Sequence, residues 1–192
     1  MSRVTVKSGE KAGESQPTAA RLLDAALAEF NEHGFAGTDT NRIARRAGFA
    51  PQTFYRGYKD KTEIFVAAYR AWWEQERGAL QALVARDAPS AELVEAGVAH
   101  HRRHLIFRRS LNQLSVDNPE VRRARAEARL SQIGQIRAWT QAAQVSDEEI
   151  AVRLFQFERL ADAIAEGEFE AQGLTDAAAR AEGARLIDGL RG

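Results

Sequence analysis

"NRIARRAGFAPQTFYRGYKDK", residues 41–61, sets six Lys and Arg against one Asp and is broken by Gly48 and Pro51. The break reads as a turn between two helices. Asp39 predicts the start of a helix that buries Ile43, Ala44 and Ala47 and stops at Gly48, where a left-handed residue suits a sharp turn. Phe49 plugs the angle. Pro51 then opens a short helix at the first helical position, where its missing N–H costs nothing, and the helix carries Phe54 and Tyr55 to about Gly57. A helix of two turns, a Gly turn and a short helix opening with small polar residues form the helix-turn-helix pattern, whose second helix offers its N-terminal residues to a major groove. The cations Arg42, Arg45, Arg46, Arg56, Lys59 and Lys61 suit a polyanion, because Lys and Arg displace the counterions condensed on duplex phosphates.

The flanks agree with this reading. Upstream, a helix is expected from Thr18 as N-cap to a stop at Gly34, with Leu22, Leu23, Ala26, Leu27 and Phe30 on one face. Downstream, Asp60 is the expected N-cap of a fourth helix, with Glu63 three residues on completing a capping box. Lys61 then lies in a first turn whose free N–H groups favour an anion.

The whole chain has 192 residues, 27 of them basic and 27 acidic, so its zero net charge says nothing about a partner. The distribution says more. Residues 1–61 hold 10 Lys and Arg against 7 Asp and Glu, a balance of +3, which leaves −3 for the remainder. Without Cys there is no disulfide framework, thiolate metal site or Cys nucleophile. The polar segment 1–17 reads as a flexible tail with no signal sequence, and no apolar run is long enough to span a bilayer, so a cytoplasmic protein with no membrane partner is expected. Four Pro residues separate stretches rich in Ala, Leu, Glu and Arg, without period-2 strands, and predict an all-α protein.

From Thr18 to Ala68 the chain resembles the N-terminal domain of the TetR family of transcriptional regulators. The resemblance rests on Phe30 before Gly34, Thr38, Ile43 and Ala44, the Ala47–Gly48 turn, then Thr53, Phe54, Tyr55, Tyr58 and Lys61. It implies about nine helices: a DNA-binding head over residues 18–62 and a ligand-binding and dimerisation body over 63–192. It also implies a homodimer joined through the last two helices, a repressor that binds a palindromic operator in double-stranded DNA and is released by a small-molecule effector. Thr40 and Asn41 would lie near the DNA backbone, Pro51, Gln52 and Thr53 near bases, and Tyr55 and Lys61 at phosphates, with Arg42 and Arg56 as further anchors. The chemistry agrees, since Gln pairs bidentately with adenine while Thr and Pro offer apolar contact to a thymine methyl. Two positions depart from the family pattern: Ala50 replaces the common Ser cap, and Gly57 stands where a His is frequent.

In the body, Pro89, Asn118–Pro119, Ser146 with Glu149, and Thr175 mark helix starts. Residues 120–139 read as an exposed helix turning apolar at Leu130, Ile133 and Ile136. Trp72, Trp73, Phe107, Trp139 and Phe155 suit the wall of an effector pocket, with His104 and Arg108 as polar members. His100 and His104 share a helical face and could hold zinc, but no third ligand has a motif spacing, so packing or hydrogen bonding is the expected role and no metal or cofactor is assigned. No catalytic motif is present and an enzyme is not expected. The rival reading is a helical protein-protein interaction module without specific DNA binding.

Overall fold

The computed structural model describes residues 16–140 and 145–191, and over these the chain is helical throughout, without strands. Ten helices are present: α1 (Thr18–His33), α2 (Thr40–Arg46), α3 (Pro51–Phe54), α4 (Lys61–Ala85), α5 (Ser90–Arg103), α6 (Leu105–Asp117), α7 (Pro119–Thr140), α8 (Asp147–Glu166), α9 (Glu168–Ala171) and α10 (Ala177–Arg191). The expected tail lies, except for residues 16 and 17, outside the described residues.

Local chemistry sets the ends. Thr18 does not cap α1; Pro17 holds the capping position without a side-chain bond, and Thr18 is already helical. Asp39 and Asp60 do cap, accepting from Arg42 N at 2.8 Å and from Glu63 N at 2.9 Å. Glu63 completes its box one residue early, accepting from Lys59 N at 2.5 Å rather than from the cap itself. Gly48 takes φ +76°, a left-handed backbone that favours glycine at this turn.

Two breaks raise the helix count beyond nine. The stretch after Pro89 splits at His104, whose ring Nδ1 lies 3.1 Å from His100 O while its N–H donates to His101 O. The side chain thus takes the carbonyl that the backbone N–H of His104 itself would have used in an unbroken helix. Gly167 (φ +72°) ends α8 in the left-handed conformation and sets off α9. The last helix begins at Ala177, two residues after the expected Thr175.

The largest core runs from α1–α3 into the body. Leu22, Phe30, Ile43, Phe54, Ile64, Phe65 and Trp72 pack in one cluster with Phe107 and Leu111 of α6 and Val121 and Ala124 of α7. The first half of α7 is therefore not an exposed helix, and Leu130, expected at its apolar turn, faces solvent instead. Phe65 is the centre of an aromatic group, 5.0 Å from Phe30, 5.3 Å from Phe35 and 5.0 Å from Phe107 between ring centroids. The boundary drawn at residue 62 falls in the first turn of α4, which continues unbroken to Ala85. A second cluster joins α5, α8 and α10. There Gly97 brings α5 against Phe157 so closely that a Cβ would meet the ring at 3.0 Å.

Candidate nucleic-acid interface and internal cavity

The α2–α3 unit presents a polar outer row. Asn41, Arg45, Pro51, Gln52, Tyr55 and Arg56 are exposed, with Thr40 and Thr53 half-buried between them. Tyr55 is 59 % exposed, so it is no core aromatic, and its hydroxyl is 3.1 Å from Thr40 Oγ1. That contact ties the end of α3 to the start of α2. The core residues of the same unit are Ile43, Ala44 and Phe54, while Phe49 and Tyr58 are half-buried.

The cations divide into two kinds. Glu29, buried on α1, receives Arg42 Nε at 2.9 Å and Arg46 Nη1 at 3.1 Å, and Arg46 also pairs with Glu32. Burial works to raise the Glu29 pKa, but the two guanidinium contacts outweigh it and hold the carboxyl below its usual range. Lys59 pairs with Glu120 at 3.2 Å. Lys61 departs most from expectation: its ammonium donates to Phe35 O at 2.7 Å and Thr38 O at 2.8 Å and lies 4.1 Å from the Phe35 ring centroid. Desolvation lowers its pKa. It closes the α1–α2 loop and is not turned outward as a phosphate anchor. Arg45 and Arg56 have no side-chain partner among the described residues. Arg21, which the sequence did not single out, donates to Ala47 O at 2.7 Å and covers Phe49 at 4.3 Å, capping the C-terminus of α2.

Ala50 has the extended backbone of an N-cap but makes no side-chain cap bond. Ala50→Ser is expected to stabilise α3 by about 1 kcal/mol. Amide exchange at Gln52 and Thr53 would then slow relative to wild type, and unchanged exchange would refute the missing-cap account.

The body holds a cavity of about 450 Å³ between α4, α7, α8 and α10. Of the pocket residues expected from sequence, Trp73 alone lines it among those whose side chains are described. Trp72 and Phe107 are instead buried in the main core, and Phe155 is 57 % exposed beneath Arg129. The Trp139 side chain lies outside the described residues. The lining that sequence reading missed follows Trp73 along α4 as Glu76, Arg77, Leu80 and Gln81, facing Gln132 and Ile136 of α7 and Leu154 and Phe157 of α8.

His104 and Arg108 belong to a buried polar network beside the cavity. Arg108 donates to both oxygens of Asp162, at 2.9 and 2.8 Å, and lies 5.2 Å over Trp72. His101 stands between two acids, Nδ1 2.9 Å from Asp162 Oδ1 and Nε2 3.3 Å from Glu76 Oε1. The first approach is close in distance but poorly aligned for a hydrogen bond. Burial opposes every charge here. It is outweighed by the pairing, which pushes Asp162 and Glu76 below and His101 above their usual ranges. His100, desolvated beside Trp72 and without an acid of its own, is pushed down to about 4, and burial also lowers His104. No three His, Asp or Glu side chains converge on a metal position among the described residues. No described helix is long and apolar enough to cross a membrane.

Residues 22–68 match the sequence model of the bacterial regulatory proteins of the tetR family. The HTH-type transcriptional repressor SCO4008 of Streptomyces coelicolor is 41 % identical over 56 residues, a match that covers 29 % of each chain. A TetR-family transcriptional regulator from Rhodococcus sp. shares the fold over 91 % of this chain and 98 % of its own, with a TM-score of 0.72 at 16 % identity. The regulator FadR of Bacillus subtilis, solved in complex with stearoyl-CoA, matches over 88 % of this chain and 96 % of its own, with a TM-score of 0.62 at 16 % identity.

Proposed function

With residues 22–68 a helix-turn-helix domain of the TetR family, we propose that the protein is a transcriptional repressor that binds a palindromic operator as a homodimer and is released by a small-molecule effector. The observation that carries the reading is the exposed row Asn41, Arg45, Pro51, Gln52, Tyr55 and Arg56 on a head whose remaining described cations are engaged by the protein's own acids and carbonyls. In this reading Gln52 and the Pro51 ring meet base edges, and Tyr55 and Arg56 hold phosphates. Homodimerisation is assigned to α8 and α10. Val152 and Phe155, three residues apart on α8, leave an apolar strip in solvent, and a two-fold partner would cover it. The effector site is the cavity behind α4, the helix that carries any displacement of the body to the head. FadR, of like fold, holds an acyl-CoA.

Selection of bound duplexes from a random pool tests the reading. A palindrome with half-sites about one helical turn, roughly 34–36 Å, apart is expected. Gln52→Ala is expected to cost about 1–3 kcal/mol against the best duplex and to relax choice at one position per half-site. Absence of enrichment would favour the interaction-module reading. Effector and operator should weaken one another by the same factor, worth about 1–3 kcal/mol.

A further inference from the structure

The loop of residues 34–39, which joins α1 to α2, is gripped from two directions at one residue. The Phe35 N–H donates to Ser110 Oγ of α6 at 3.0 Å, and the Phe35 carbonyl accepts from Lys61 Nζ, at the first residue of α4, at 2.7 Å. The same ammonium reaches Thr38 O at 2.8 Å and lies 4.1 Å from the Phe35 ring centroid. The ring packs 6.0 Å from Phe30 and 5.3 Å from Phe65 between centroids. Backbone and side chain of Phe35 are thus both engaged. Gly34 is buried beside the grip, where a Cβ would press on Ser110 Oγ at 3.2 Å. One turn earlier, Asn31 Nδ2 donates to Arg103 O at the end of α5, at 2.8 Å.

The recognition row is tied to this loop. Thr38 Oγ1 donates to Glu29 O at 3.2 Å, the Glu29 carboxylate takes Arg42 and Arg46 of α2, and Thr40 joins α2 to Tyr55 at 3.1 Å. Whatever angle the loop takes against α6, α2 and α3 take with it. A dimer meets two half-sites at once only if its heads stand at the matching separation, and a head free to swing must be ordered on binding both. One half-site makes no such demand.

Resting on the homodimeric-repressor reading, we propose that Ser110 is a positioning residue for operator recognition: by holding the Phe35 N–H against α6 it fixes the separation of the two heads and selects the spacing between half-sites, without touching DNA. Lys61 acts on the same residue from α4. Base choice stays with the exposed row, and spacing choice belongs to this clamp.

Titration of wild type and Ser110→Ala with the selected palindrome, with one isolated half-site, and with palindromes carrying one base pair more or fewer at the centre separates the two roles. Each base pair moves a half-site by about 3.4 Å along the axis. Wild type is expected to hold the palindrome about 100-fold tighter than the half-site. Ser110→Ala, which keeps a good helix former in α6, should leave half-site affinity unchanged, lower that ratio to about tenfold and shrink the penalty for the altered spacing. Equal weakening of half-site and palindrome, with the spacing penalty intact, would mean a local defect in α2 and α3 and would overturn the assignment. A wild-type palindrome affinity and spacing penalty in Ser110→Ala would also overturn it and leave the repressor reading standing. Lys61→Met, which frees Phe35 from the other side, should shrink the same penalty, and the double variant should lose less than the two losses summed. Fully additive losses would refute a shared clamp. If wild type enriches no palindrome, the repressor reading falls and the clamp with it.

Discussion

Asp162→Asn is expected to lower stability by about 3–5 kcal/mol and the melting temperature by roughly 6–20 °C. The substitution keeps the shape of the side chain and removes its charge. Arg108, 2 % exposed, would then be left buried without its anion, and His101 would keep only Glu76. Breaking one partner out of a buried pair costs far more than the pair contributes, because the desolvation of the other remains. Thermal unfolding of the variant provides the check, and a shift below about 2 °C would refute the account.

The pH dependence follows from the same groups. Asp162 has a depressed pKa, so its contribution is present above about 4 and is lost as pH falls through its folded value. His101 has a raised one, so its contribution is complete below about 6.5 and is lost as pH rises through its folded value. His100, buried neutral, works the other way and withdraws stability as pH falls from about 6.5 toward 4. Stability should therefore peak near pH 6.5, and Asp162→Asn should flatten the alkaline arm by relieving the upward shift of His101.

Phe65→Ala is expected to cost about 3–5 kcal/mol. The ring has no solvent exposure and touches three other Phe rings, one of them on α6. Because that contact joins the head to the body, the loss should lower the urea midpoint of a single transition and leave its slope unchanged. Two resolved transitions would mean that the head unfolds on its own, and a cost under about 1.5 kcal/mol would mean that the cluster closes over the gap.

Short-range chemistry was the readable part. Asp39, Gly48, Pro51, Asp60 and Ser146 each mark a helix end by a bond or a torsion that belongs to the residue itself. The outer row of α2 and α3 was readable for the same reason, since a short helix exposes what its core residues leave over. Long-range pairing was not. Nothing local to Glu29 says that it will face Arg42 and Arg46, residues 13 and 17 positions away. Nor does the sequence near Lys61 show that the α1–α2 loop will offer two carbonyls. The pocket was missed for a subtler reason. α4 carries two stripes, one through Ile64, Ala68 and Trp72 and a second through Trp73, Glu76, Leu80 and Val84. Both follow helical spacing, but the second mixes Glu76, Arg77 and Gln81 with its apolar residues, and spacing alone does not show that such a face meets an interior. Trp72 and Trp73, adjacent in sequence, consequently serve different interiors.

For the operator-binding repressor proposed above, the division of cations in the head bears on life among a chromosome's competing sequences. With Arg42, Arg46, Lys59 and Lys61 engaged by the protein's own acids and carbonyls, little loose charge remains to grip DNA of arbitrary sequence. Visits to wrong addresses should be brief, fewer copies should be stranded there, and a small cellular stock would suffice to keep one target occupied.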